Sequence, residues 1–151
     1  MSDETPPGSE ASRVAQVMGL RDWQQMGGVE LAEMVAAGLP WQTAETIVRR
    51  IDPVGQALTI EDVVSRSSLR RKRAGDKPLT KAQSQMVYAL AKLFLEVERF
   101  YHSEVADARR FLAHPHPMLD GRSPIDVAKQ STVGVEVVLS LLERADAGVA
   151  V

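Results

Sequence analysis

The chain has 151 residues, no cysteine, 44% hydrophobic and 25% charged residues, and a formal net charge of −2. That length supports one ordinary domain or two small ones sharing a core, and the missing cysteines exclude a disulfide framework, a thiolate metal site and a cysteine nucleophile. No apolar run approaches the roughly 20 residues needed to cross a bilayer, and the first ten residues lack the basic start and apolar core of a signal peptide, so a cytoplasmic protein without membrane attachment is expected.

Residues 1–12 are polar and rich in Pro, Gly, Ser and acid, the composition of a disordered tail. Between Arg13 and Gly28, the residues Val14, Val17, Met18, Leu20, Trp23 and Met26 form an apolar face interrupted at Gly19, which predicts one or two short helices before the break at Gly27-Gly28. Leu31, Met34 and Val35 predict a helix over Val29 to Ala37 that Gly38-Leu39-Pro40 stops. The segment Trp41 to Ile51 resumes with Ala44, Ile47, Val48 and Ile51 inward and Arg49-Arg50 outward, and Asp52-Pro53-Val54-Gly55 is a turn.

Thr59 is placed to cap a short helix over Thr59 to Val64, and a strongly basic segment, Ser65 to Gly75, follows at once. Two short helices joined by a few polar residues, the second basic, have the look of a helix-turn-helix. From Arg66 to Lys81 seven bases and one acid leave a local charge of +6 inside a net acidic chain. Ser65, Arg66, Ser67, Ser68 and Arg70 are candidates for base edges and phosphates, and Arg71, Lys72 and Arg73 for the nucleic-acid backbone. The same composition also describes a solvated face between two core helices.

The clearest helix begins at Thr80. Thr80-Lys81-Ala82-Gln83 matches a capping box, and Met86, Val87, Leu90, Leu93, Phe94, Val97, Phe100 and Tyr101 hold one stripe for about six turns. A shorter helix over Glu104 to Ala113 turns Val105, Ala108, Phe111 and Leu112 inward until His114-Pro115-His116-Pro117 ends it. Ser123 can cap a helix whose first residue is Pro124, with Asp126 in its first turn. After Ser131-Thr132, the residues Val133, Val137, Val138, Leu141, Leu142 and Ala145 recur at helical spacing and predict a final helix with one apolar face, ending before Gly148. Gly121 suits a turn and Gly134 a close helix approach. With no sustained strand alternation, the fold class is all-α.

Catalytic and metal chemistry find little support. His102, His114 and His116 lack a second cluster of ligands, and prolines interrupt the His114-x-His116 pair, so neither metal nor cofactor is expected. There is no Gly-rich phosphate loop, no Gly-x-Ser-x-Gly and no His-Glu-x-x-His, and Glu96, Glu98 and Asp107 read as the wet faces of helices; the chain is not expected to be an enzyme.

The run Leu119-Asp120-Gly121-Arg122-Ser123-Pro124-Ile125-Asp126-Val127-Ala128, followed by Gly134, Val137-Val138, Leu142, Arg144 and Gly148-Val149, resembles the C-terminal toxin-binding domain of the MbcA/ParS/Xre antitoxin family. The likeness extends from Leu79 to Val151 and more loosely through the earlier chain. It implies the antitoxin of a type II toxin-antitoxin module whose partner is a RES-domain toxin, which degrades NAD or carries out ADP-ribosylation of a target. Neutralisation would come from occluding that toxin's active site. The resemblance further implies that Ser65…Leu69-Arg70-Arg71…Gly75 belongs to an Xre-type helix-turn-helix reading operator DNA as a homodimer. It places Arg144, Gly148, Val149, Ala150 and Val151 at the toxin's NAD pocket; further toxin contacts are expected from Arg122, Asp126, Lys129, Gln130 and Glu143. The expected organisation is a tail (1–12), a helical, helix-turn-helix-like and dimerising part (13–102) and a toxin-binding part (103–151), joined by the long central helix. The alternative is a stand-alone helix-turn-helix transcription regulator with no toxin, whose C-terminal half serves only oligomerisation.

Overall fold

A 20-residue helix, α5 (Lys81–Phe100), sets the fold of the computed structural model, which describes residues 9–148. Its start is fixed as the capping box requires: the Thr80 hydroxyl accepts from the Gln83 amide at 3.1 Å, and the Gln83 side-chain oxygen accepts from the Thr80 amide at 2.9 Å. Val87, Leu90, Ala91, Leu93, Phe94 and Val97 along its length are all buried. Each large side chain among them contributes about 1.5–3 kcal/mol relative to exposure, so the other elements assemble on this rod.

Against α5 pack α1 (Glu10–Val17), α2 (Gly28–Ala37) and α3 (Gln42–Ile51) from the first half, and α6 (Val105–Ala113) and α8 (Thr132–Asp146) from the second. The short α7 (Pro124–Ala128) packs on α6 and α8. Helix α4 (Arg66–Gly75) stays at the surface, with Leu69 its only buried residue. Among the described residues there is no strand, in agreement with the all-α expectation.

Two local expectations are corrected. Glu10, Ala11 and Ser12, expected in a disordered tail, form the first turn of α1, because the Ser9 side chain caps it and the buried Ser12 hydroxyl donates to the Ser9 carbonyl at 2.9 Å; residues 1–8 lie outside the described part. The helix expected over Thr59 to Val64 is a single 3-10 turn, Ile60–Asp62. Its capping box closes on itself, with the Asp62 carboxylate accepting from the Thr59 amide at 2.9 Å. Three of the next residues are β-branched or a new cap: Val63, Val64 and Ser65, the last already starting α4. Nothing remains to extend the turn into a helix.

The connection between α2 and α3 is locked to the start of α5. Gly38 ends α2 at φ +116°, a conformation that favours glycine, and a Cβ there would sit 2.4 Å from the Leu79 carbonyl oxygen. Beside it the Leu79 amide donates to the Leu39 carbonyl at 2.8 Å, and the Leu39 amide donates to the hydroxyl of fully buried Ser84 at 2.9 Å. Ser84→Ala therefore leaves a buried amide without an acceptor. The expected cost is about 1–3 kcal/mol, measured as a lower denaturant midpoint with an unchanged slope.

Candidate functional site

The second half of the chain builds a small module whose turns are satisfied almost entirely from within. His116 organises the link between α6 and α7. Its Nδ1 accepts from the Met118 amide at 3.1 Å, its carbonyl accepts from Leu119 and Gly121, and its amide donates to the Arg122 carbonyl at 3.0 Å. Asp120 and Gly121 take left-handed backbone, φ 55° and 78°, which lets the loop close in so few residues. Arg122 is left exposed at its edge. Buried Ser123 then caps α7 by accepting from the Asp126 amide at 3.2 Å, with Pro124 in the first position, as the sequence indicated. His116 is thus a capping residue, and among the described residues no three His, Asp or Glu side chains converge as a metal site would require.

Gly134 decides how α8 lies. A Cβ at this position would fall 2.0 Å from the Val127 carbonyl oxygen, so α8 crosses α7 at backbone contact. That crossing, together with the packing of α8 on α5, buries Gly134, Val135, Val138, Leu141 and Leu142. It turns the other flank to solvent: Val133 is 64% and Val137 45% exposed, where the sequence pattern had put both inside. Residues 133, 137, 140 and 144 share one helical face by their spacing, so the two valines stand in line with exposed Ser140 and Arg144.

The expected toxin-contact residues divide into two groups. Gln130, Glu143, Arg144 and Gly148 are exposed, as is Arg122. Glu143 lines a surface cleft with Lys92, Glu96 and Arg99 of α5. Asp126 and Lys129 are half-buried, and Lys129 is turned toward the chain itself. The Lys129 ammonium donates to the Ala57 carbonyl at 2.9 Å and lies 3.7 Å from the Asp126 carboxylate. Val149, Ala150 and Val151 lie outside the described residues. A second cleft, about 460 Å³, opens where α8 meets the ends of α5 and α6; Phe100, Tyr101, Phe111, Leu142, Ala145 and Gly148 are among its walls. Burial, reinforced by the negative charge of Asp107, pushes the Tyr101 hydroxyl above its ordinary pKa.

Lys129 joins this module to the first half, as does Arg109 of α6, whose Nε donates to the Arg50 carbonyl at 2.8 Å. Both land beside the loop 52–58, which Asp52 holds in shape. Its carboxylate accepts from the amides of Gly55 at 3.1 Å, Ala57 at 2.6 Å and Leu58 at 3.0 Å. Partial burial raises the pKa of this group, but the Ala57, Leu58, Gly55 and Val54 amides outweigh it and hold the carboxyl below the usual range. Neither the Asp52 brace nor the Lys129 weld was foreseen; the Asp-Pro-x-Gly turn was its only visible trace.

On the basic helix, the expected nucleic-acid residues also separate by contact. The Ser65 hydroxyl is committed to capping, accepting from the Ser68 amide at 3.2 Å. Arg66 is paired with Glu61 at 2.7 Å, Lys72 donates to the Pro78 carbonyl at 2.9 Å, and Arg73 is paired with Glu45 of α3. The Arg73 guanidinium also lies 5.3 Å from the centre of the Trp41 ring, whose indole donates to Asp76 at 3.1 Å. Among the described residues, Ser67, Ser68, Arg70 and Arg71 remain: Ser68 is half-buried, and the other three are exposed on the outward face of α4.

Residues 97–148 match the family described as the antitoxin Xre/MbcA/ParS C-terminal toxin-binding domain. The match begins within the last turns of α5 and runs through α6, α7 and α8, the module just described. No curated protein matches the chain.

Proposed function

From residues 97–148, which carry the toxin-binding domain of an Xre/MbcA/ParS-type antitoxin, we infer that the partner is a RES-domain toxin, bound on the outward face of α8. The observation that supports this is the exposed pair Val133 and Val137, aligned with Ser140 and Arg144 on the helix that leads into the last residues of the chain. Exposed valines one turn apart, rimmed by polar residues, are what a partner's apolar surface would cover. Docking along this face carries Gly148, Val149, Ala150 and Val151 toward the toxin's NAD pocket and bars NAD from it. Inhibition is stoichiometric: it scales with occupancy of the toxin and needs no turnover by this chain.

In the same reading α4 binds operator DNA through its outward face, and a homodimer sets two such helices on successive half-sites. A stand-alone regulator would use α4 in the same way and would cover the exposed valines with a second copy of the chain, leaving the neighbouring gene product untouched.

The test is NAD consumption, together with ADP-ribose transfer in lysate, by the product of the neighbouring gene. Equimolar full-length chain is expected to abolish the activity, and a chain ending at Ala147 to leave most of it. A neighbour without such activity, or one the full chain leaves untouched, contradicts the reading.

A further inference from the structure

We propose that the nucleic-acid face of this chain spans two helices, with Arg49 and Arg50 of α3 gripping the phosphate backbone of a duplex beside Arg70 and Arg71 of α4; this rests on the reading of α4 as an operator-binding helix. The two helices are tied where it matters. The Arg73–Glu45 ion pair joins them directly, and Trp41, just ahead of α3, meets both Arg73 and Asp76. Arg49 follows Glu45 by one helical turn, and Arg70 precedes Arg73 by one turn, so both extend the surface that this ion pair closes. All four of Arg49, Arg50, Arg70 and Arg71 are exposed.

The nearby acids are directed elsewhere. Glu45 is paired with Arg73 and Glu61 with Arg66, while the Asp62 and Asp52 carboxylates accept from backbone amides. At the end of α3, Arg109 sits on the Arg50 carbonyl and brings a further positive charge to the same edge. The partner this surface fits is a duplex rather than a protein. Exposed guanidinium groups on two helices linked by the Arg73–Glu45 pair and by Trp41 suit a repeating line of phosphates, to which each can fork. The outward face of α4, Ser67, Arg70, Arg71 and Ala74, offers no large apolar side chain to anchor a protein interface.

The experiment is the salt dependence of binding by the full chain. Two labelled duplexes of about 30 bp serve as probes, one from upstream of its own gene and one scrambled, with each phosphate contact worth about 0.9 in the log–log slope. Arg49→Ala/Arg50→Ala is expected to weaken binding to both duplexes at least tenfold and to lower the slope by about 2, leaving Tm unchanged because both side chains are exposed. Arg70→Ala/Arg71→Ala should weaken binding further. If only the α4 pair affects binding and the α3 pair leaves affinity and slope as in the parent chain, the two-helix face is wrong while the α4 reading survives. If the parent chain binds neither duplex, both fall. Polyglutamate that competes as well as duplex at equal charge concentration overturns the assignment of the partner as nucleic acid.

Discussion

Gly134→Ala is expected to destabilise the protein and to cost it its toxin, although the same change in an open helix position helps by about 1 kcal/mol. The added methyl would meet the Val127 carbonyl oxygen at 2.0 Å, the Val127 carbonyl carbon at 2.9 Å and the Ala128 Cα at 3.4 Å. All three are backbone atoms of α7, and they cannot swing aside as the end of a side chain could. Overpacking of ordinary core sites costs about 1–3 kcal/mol, and a backbone obstacle puts this one at or beyond the upper end. For a chain of this size that corresponds to roughly 10 °C in Tm. Gly28→Ala is the control, because a Cβ at Gly28 meets nothing within 4 Å; its Tm should stay level or rise slightly. Equal behaviour of the two variants in a thermal melt would refute the close crossing of α7 and α8 and the orientation of Val133 and Val137 derived from it.

Asp52→Ala should have the next largest effect. It removes the acceptor for the amides of Gly55, Ala57 and Leu58 and loosens the loop whose Ala57 carbonyl receives Lys129. Bonds to a charged acceptor contribute about 1.5–3 kcal/mol, and partial access of water to these amides keeps the total for the site near 2–3 kcal/mol. The pH dependence has a definite sign. Because the folded-state pKa is depressed, the stabilisation is fully present above the unfolded value of about 3.9 and disappears as pH falls through the folded value. Melting temperatures between about pH 2 and pH 7 should therefore fall more steeply with acid for the parent chain than for Asp52→Ala, and the two curves should approach each other at the acid end. Parallel curves would show that the carboxylate does not brace the loop.

The helices that were legible in the sequence are those whose start signal and apolar stripe agree. Thr80 with Gln83 and Ser123 with Pro124 and Asp126 cap where their side chains indicated, and the last helix starts at Thr132, where its apolar pattern was read to begin. The failures share a cause. Apolar periodicity counts large side chains, so Val133 and Val137 were read as the inner face of α8; Gly134 contributes nothing to such a count, yet it sets the helix rotation through contact with Val127. In the same way a run of bases says nothing about which are already paired. Only the folded chain brings Glu45 to Arg73, across 28 positions, and so separates a clamp from the free arginines. Lys129 was expected at the toxin for a similar reason: its acceptor, the Ala57 carbonyl, is 72 residues away.

The central claim, that the outward face of α8 holds the toxin, is tested most directly by calorimetric titration. The product of the neighbouring gene, proposed above to be a RES-domain toxin, is titrated with the full-length parent and with Val133→Asp/Val137→Asp. Buried interface anchors cost at least about 2 kcal/mol when lost, so the variant is predicted to bind at least about 30-fold more weakly than the parent. Its Tm should be unchanged, since both side chains already face water. A variant that binds the toxin as tightly as the parent would contradict the account.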